Sequence, residues 1–189
     1  MLMSPMELTQ AIYGRRSTRA LSKQPVTKAL LERLIDSAIQ APSARNKQPW
    51  EFVIIQNLPL LDRISESSKA HIRGTEKGSL SLHPHDALND PDFHIFYHAP
   101  VLIVISAVQG DLAVENAALA AENLMLVAYA NGLGTCWIGL AQDWLGSADG
   151  RRAVGVPEGF SPVAPIIVGH PLGDAPTVPR NAARLRWID

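Results

Sequence analysis

The sequence predicts one α+β domain with few strands and prominent helices. Three observations carry that expectation. Short apolar stretches rich in β-branched residues, at 50–55, 101–106 and 163–169, read as strands. Longer stretches between them carry capping residues and apolar residues at helical spacing, and read as helices. No internal repeat and no linker-like shift in composition interrupts the 189 residues, so 1–189 reads as a single domain.

Ser4-Pro5-Met6-Glu7 has the capping-box pattern with Pro at the first helical position, which predicts a short helix from Pro5 to about Tyr13, stopped at Gly14. Thr27 can cap a second helix that places Leu31, Leu34, Ile35, Ala38 and Ile39 on one face. Pro42 disfavours helical geometry at Ala41 and ends it. Strand 50–55 follows, and 59–72 reads as a third helix. From Gly74 to His94 periodicity is weak and turn formers are many, a length of connection that belongs to functional lids or inserts. Strand 101–106 precedes an Ala-rich helix that opens at Asp111 and closes at Gly132. Its apolar residues go nearly all round, so both faces need cover, and a second protomer is one source of it. After "GLGTCWIGL" come a turn-rich stretch with one short helix, the 163–169 strand, and a tail with little amphipathic order.

A formal net charge of −1 argues against general nucleic-acid or membrane-surface binding. The most apolar run, 99–108, is too short to span a bilayer as a helix. The N-terminus lacks the basic and long apolar regions of a secretory signal, and the single cysteine allows no internal disulfide. These features lead us to expect a cytoplasmic protein.

Four clusters could do chemistry. Arg15, Arg16, Ser17 and Arg19 offer cations and hydroxyls suited to a phosphate, with a solvated basic loop as the alternative reading. In "APSARNKQPW", Ser43, Asn46 and Gln48 can donate and accept hydrogen bonds to a heteroaromatic ligand, while Trp50 reads as core packing. The glycines of "GLGTCWIGL" follow a helix and lack the G-x-G-x-x-G spacing, so a dinucleotide fingerprint is rejected. They read instead as points where backbone approaches something flat. Cys136 reads as a buried, inert thiol. The tail carries Arg180, Arg184 and Arg186, any of which could complete an anion site begun at Arg15.

Other chemistry finds little support. His94 and His98 stand four apart without the Glu of H-E-x-x-H, and they run into Pro100 and a strand, so no metal site is expected. Asp90 and Asp92 read as turn chemistry. Neither a G-x-S-x-G elbow nor a Walker A loop is present.

In order along the chain, "RRSTR", "APSARNKQPWEFVII", "AAENLMLVAYANGLGTCWIGL" and "APIIVGHP" with its arginine-bearing tail resemble the FMN-dependent nitroreductase family. The resemblance covers essentially the whole chain. It implies a small, central, mostly antiparallel sheet surrounded by helices, in an intertwined homodimer with FMN at the subunit interface. It implies that Arg15 and Ser17 grip the phosphate and ribityl end with Arg16 beside them, and that Arg19 lies near the pyrimidine edge. Pro42, Ser43, Ala44 and Asn46 would come from the partner, Ile138 and Gly139 would line the ring, and Arg180 would reach the phosphate. The implied activity is ping-pong reduction of nitroaromatics, quinones or related electrophiles by NADH or NADPH, with no protein nucleophile. Reductive dehalogenation, flavin cleavage, and flavin binding without turnover are the alternatives. Residues 74–98 would then set substrate choice, and Arg45 and Lys47 have no role.

Overall fold

A computed structural model describes residues 6–74, 88–110 and 112–188. Trp50–Ile55 (β1), Val101–Val108 (β2), Gly134–Trp137 (β3) and Phe160–Gly169 (β4) form one sheet in the order β1-β2-β4-β3. Every neighbouring pair is antiparallel. β2 alternates between two cores, as the period of a strand requires. Val101, Ile103, Ile105 and Ala107 face one core, and Leu102 and Val104 face the other.

Helices cover both faces. Lys28–Ala38, preceded in the chain by Leu8–Gly14 (α1), is α2; it packs with Ala113–Ala130 (α4) on the first face. Leu58–Arg73 (α3), Gln142–Gly146 (α5) and Ala148–Val154 (α6) cover the second. Three helix starts are capped by side chains: Thr27, Asn57 and Ser147 accept from the amides of Leu30, Leu60 and Gly150. α1 begins at Leu8, later than expected, and Glu7 gives it no side-chain cap. The Ser4 capping box and Asp111 lie outside the described residues, as do His83 and His85.

The sheet has one strand more than the sequence led us to expect. β3 comes from "GTCW", whose flanking glycines resemble turn punctuation. Gly134 is instead a packing requirement. A Cβ there would sit 2.7 Å from Thr18 Cγ2 and 3.0 Å from Leu21 Cδ2. What approaches that glycine is the chain's own 18–21 segment. Of the glycines in "GLGTCWIGL", Gly132, at φ +74°, does turn duty, closing the end of α4. The two prolines of β4 are placed where a ladder can spare a donor. Pro162 lies at the register shift opposite Ile105 and Ser106, and Pro165 lies one residue past the last β3 pair, Trp137–Ile166. After β3 the chain forms two short helices, where one was expected.

α3 is tied to the segment entering β2 by polar contacts under its apolar face. Lys69 is only 1% exposed, and its ammonium donates to the Phe93 carbonyl and pairs with Glu66. Ser65 Oγ accepts from the Ile95 amide. His94 Nδ1 accepts from the Phe96 amide at 3.1 Å, and Nε2 faces Asp62 Oδ1 at 3.2 Å. The Nδ1 bond needs a bare nitrogen, so the neutral ring carries its proton on Nε2. Burial holds the His94 pKa below its usual value, helped by nearby His98 and Lys69 and opposed by Asp62.

A depressed histidine pKa means that the unfolded chain takes up this proton first as pH falls. The resulting stability is present above the ordinary value of 6.5 and is lost as pH drops from there toward the folded-state pKa. Thermal denaturation across pH 5 to 8 should show a component of acid destabilisation in the parent protein that His94→Gln lacks. Equal pH slopes in the two proteins would refute it. Separately, Gly134→Val should destabilise by about 1–3 kcal/mol through overpacking against Thr18, read by denaturant melts.

Candidate functional site

Residues 15–22 leave α1 and run along the open edge of the sheet. Ser17 bridges Thr135 in parallel, and the Thr18 amide donates to the Thr135 carbonyl at 2.9 Å. Further on, Leu21 bridges Pro171, Ser22 N–H donates to the His170 carbonyl, and Leu172 N–H donates to the Ala20 carbonyl. An extended segment of alternating residues thus presents its basic side chains on a rigid support.

The charges of Arg15 and Arg19 and the hydroxyl of Ser17 act on Cys136 of β3. Burial pushes the Cys136 thiol up; Arg19, a hydrogen bond with Ser17, and Arg15 pull it back. The thiol is buried and free, as expected of an inert cysteine. Ser17 and Arg19 are exposed, while Arg15 and Arg16 are half-buried. Arg15 Nε lies 3.3 Å from Glu122 Oε1 but is not aligned for a hydrogen bond, so this buried atom has no hydrogen-bond partner. Arg16 Nε is also buried and unpartnered, although its Nη1 donates to the carbonyls of Tyr13 and Arg15. Two buried guanidinium N–H groups without acceptors are a donor set that a phosphate satisfies, so these residues fit an FMN phosphate. A cavity of about 490 Å³ adjoins Arg16 but not Arg15, bordered also by Thr18, Tyr129, Gly134, Asp174 and Thr177. Arg19 also stands over the Tyr97 ring, 5.8 Å from its centroid.

The 42–48 loop is held elsewhere. Ala44 N–H donates to Asn116 Oδ1, and the Trp50 indole N–H donates to the Asn116 carbonyl. Inside the loop, Ser43 Oγ accepts from the Gln48 amide, and the Gln48 side chain donates to Asn46 Oδ1. Arg45, Asn46 and Gln48 all have φ near +50°. Positive φ without glycine is costly, about 1–3 kcal/mol per residue, and persists only where surrounding bonds enforce it. Pro42 is exposed, while Ser43 and Ala44 are half-buried.

The remaining expected residues are not gathered with these two groups inside one chain. Ile138 is buried in the second core and its amide donates to the Pro165 carbonyl; Gly139 is exposed at the start of a short 3-10 turn. Arg180 is exposed in the tail and donates to the Val178 carbonyl. Asn116, Glu122 and Tyr97 had not been singled out. A polar residue in an otherwise apolar helix was the available signal for the first two; nothing local marks Tyr97.

Among the described residues, Asp62, His94 and His98 bring one ligand atom each within 4.8 Å of one another, the arrangement closest to a metal site. Its chemistry is wrong for one. A metal on His94 Nε2 would need the proton moved to Nδ1, against the Phe96 N–H that already points there. His98, at φ +53°, stacks on His94 with ring centroids 4.5 Å apart. As expected, the Asp90 side chain makes a turn, accepting from the Asp92 amide.

The fold has counterparts among known proteins. A provisionally named NADH dehydrogenase/NAD(P)H nitroreductase of Methanothermobacter thermautotrophicus is 27% identical over 175 residues, covering 89% of this chain and 79% of that protein. A Bacteroides fragilis nitroreductase solved with bound FMN superposes with a TM-score of 0.86 at 22% identity, over 97% of this chain and all of that one. Iodotyrosine deiodinase, solved with FMN and 3-iodo-L-tyrosine, superposes with a TM-score of 0.73 at 23% identity, over 97% of this chain and all of that one. The profile of the Nitroreductase family matches residues 12–170, well over half of the sequence, and the chain belongs to that family.

Proposed function

We propose that this FMN-dependent oxidoreductase oxidises NADH or NADPH and reduces nitroaromatics, quinones or related electrophiles, and that it works as a homodimer. The observation that carries the reading is the pair of buried N–H groups of Arg15 and Arg16 that lack acceptors, on a basic segment bridged to β3. Arg15, Arg16 and Ser17 would hold the phosphate end of FMN. When bound, FMN supplies hydride exchange between the nicotinamide and the electrophile. Arg19, placed over Tyr97, would keep a positive charge beside the pyrimidine edge and so favour negative charge there. Gly139 would border the ring, Ile138 would support that wall from the core, and Arg180 would reach the phosphate from the tail.

The placement of the two clusters supports the dimer. Asn116, which holds the 42–48 loop, and Glu122, which meets Arg15, are six residues apart on α4. That spacing is about 9 Å of rise and about 240° of rotation, so the halves stand on different faces of one helix. A second copy can bring Pro42, Ser43, Ala44 and Asn46 of its loop to this chain's arginines. Exposed apolar residues support such a partner: Leu8, Ile12 and Tyr13 on α1, Val114 and Leu119 on α4, and Trp187, which is 85% exposed in the tail. No helix of the described residues is long and apolar enough to cross a membrane.

The purified protein should be yellow, bleach with NAD(P)H without oxygen, and recolour on adding a nitroaromatic or quinone. Colourless protein that FMN cannot reconstitute would sink the scheme, and turnover of a halophenol in place of both acceptors would move the assignment to reductive dehalogenation. Arg15→Ala should lower FMN affinity by about tenfold or more with the fold intact by circular dichroism, since a charge-assisted bond to phosphate is lost. Full flavin occupancy in that variant would refute the phosphate assignment. Ultracentrifugation at micromolar concentration should give twice the 20.5 kDa chain mass; a flavin-loaded monomer would contradict the shared site.

A further inference from the structure

A second concave site lies against the 42–48 loop and its Asn116 anchor, and no role has been given to it. It has a volume of about 630 Å³, within the range of small-molecule sites, and is bounded by the loop, the start of β1, the end of β2 and the first turn of α4. Six residues give it its chemistry: Arg45, Lys47, Gln48, Trp50, Gln109 and Phe160. Two cations, two amides and two half-buried aromatic rings face one hollow, and no carboxylate is among the described lining residues.

Three features separate this from an ordinary basic surface. Neither Arg45 nor Lys47 has an ion-pair or side-chain hydrogen-bond partner among the described residues. Arg45 is held at φ +54°, a strained conformation that the bonds to Asn116 and Ser43 impose on its loop. The Trp50 ring cannot swing away, because its N–H is fixed to the Asn116 carbonyl at 3.0 Å. A rigid aromatic wall beside two free cations suits a flat ligand with a negative substituent.

We propose that this cavity receives aromatic substrates bearing a carboxylate or similar anionic group, with Arg45 and Lys47 taking the charge and Trp50 and Phe160 flanking the ring. It makes the enzyme prefer anionic over neutral electrophiles. The proposal rests on the oxidoreductase reading, in which Ser43 and Asn46 of the same loop border the flavin.

The test uses FMN-loaded protein with 4-nitrobenzoate and its neutral counterpart 4-nitrobenzamide. Calorimetry and steady-state kinetics should show nitrobenzoate favoured by about tenfold or more at low salt, with the preference shrinking as ionic strength rises. Arg45→Ala combined with Lys47→Ala should raise the KM for nitrobenzoate by about tenfold and leave nitrobenzamide and kcat unchanged. Absence of discrimination in the parent protein, or the same discrimination in the double variant, overturns the proposal. A loss confined to NADPH relative to NADH, with nitrobenzoate untouched, also overturns it, because the anion recognised would then be the donor's phosphate. If reduced protein passes electrons to neither aromatic nor to benzoquinone, the oxidoreductase reading fails. Calorimetric binding of nitrobenzoate to parent and double variant still decides the cavity in that case.

Discussion

The backbone stitch between residues 17–22 and the β3–β4 corner is the constraint on which the rest depends. It covers a sheet edge that would otherwise offer unpaired N–H and C=O groups, and in doing so fixes the direction of every side chain from Arg15 to Arg19. Because an extended strand alternates its side chains, Ser17 and Arg19 share a side, which is why both act on the same thiol. The stitch is possible only because position 134 has no side chain. A glycine that reads as loop chemistry is therefore what lets a basic segment become part of a sheet.

The long helix 113–130 is core and organiser at once. Its alanines Ala117, Ala120, Ala121 and Ala128 let it lie close against the sheet, and two of its polar residues hold different segments, Asn116 the 42–48 loop and Glu122 the Arg15 side chain. Asn116 does so twice, through side chain and carbonyl. Helical pitch sets their separation: six residues put Asn116 and Glu122 about 9 Å apart along the axis and on different faces.

Much of this was legible beforehand. Strand 50–55 and helix 28–38 were readable because a cap, a proline and a clear period coincided at their ends. The clusters at 15–19 and 42–48 stood out because polar and basic residues interrupt apolar runs without glycine. Other features could not be read. β3 is four residues long and begins with glycine, too short for a period to register. The partnership of Asp62, Ser65 and Lys69 with residues 93–96 depends on tertiary placement, and a buried lysine carries no mark in sequence. The left-handed residues of the loop were hidden for the opposite reason: the sequence offers no glycine where the backbone needs one, since the Asn116 anchor supplies the constraint.

The placement of Cys136 bears on chemical durability. A thiolate is the form that electrophiles alkylate, so a flavin oxidoreductase gains from keeping its thiol protonated. Three cationic or hydroxylic groups around a thiol would ordinarily favour the reactive thiolate, yet here burial prevails and the sulfur stays protonated. The chain's one thiol is thereby buried within the sheet beside the basic 15–19 segment, out of reach of alkylating agents.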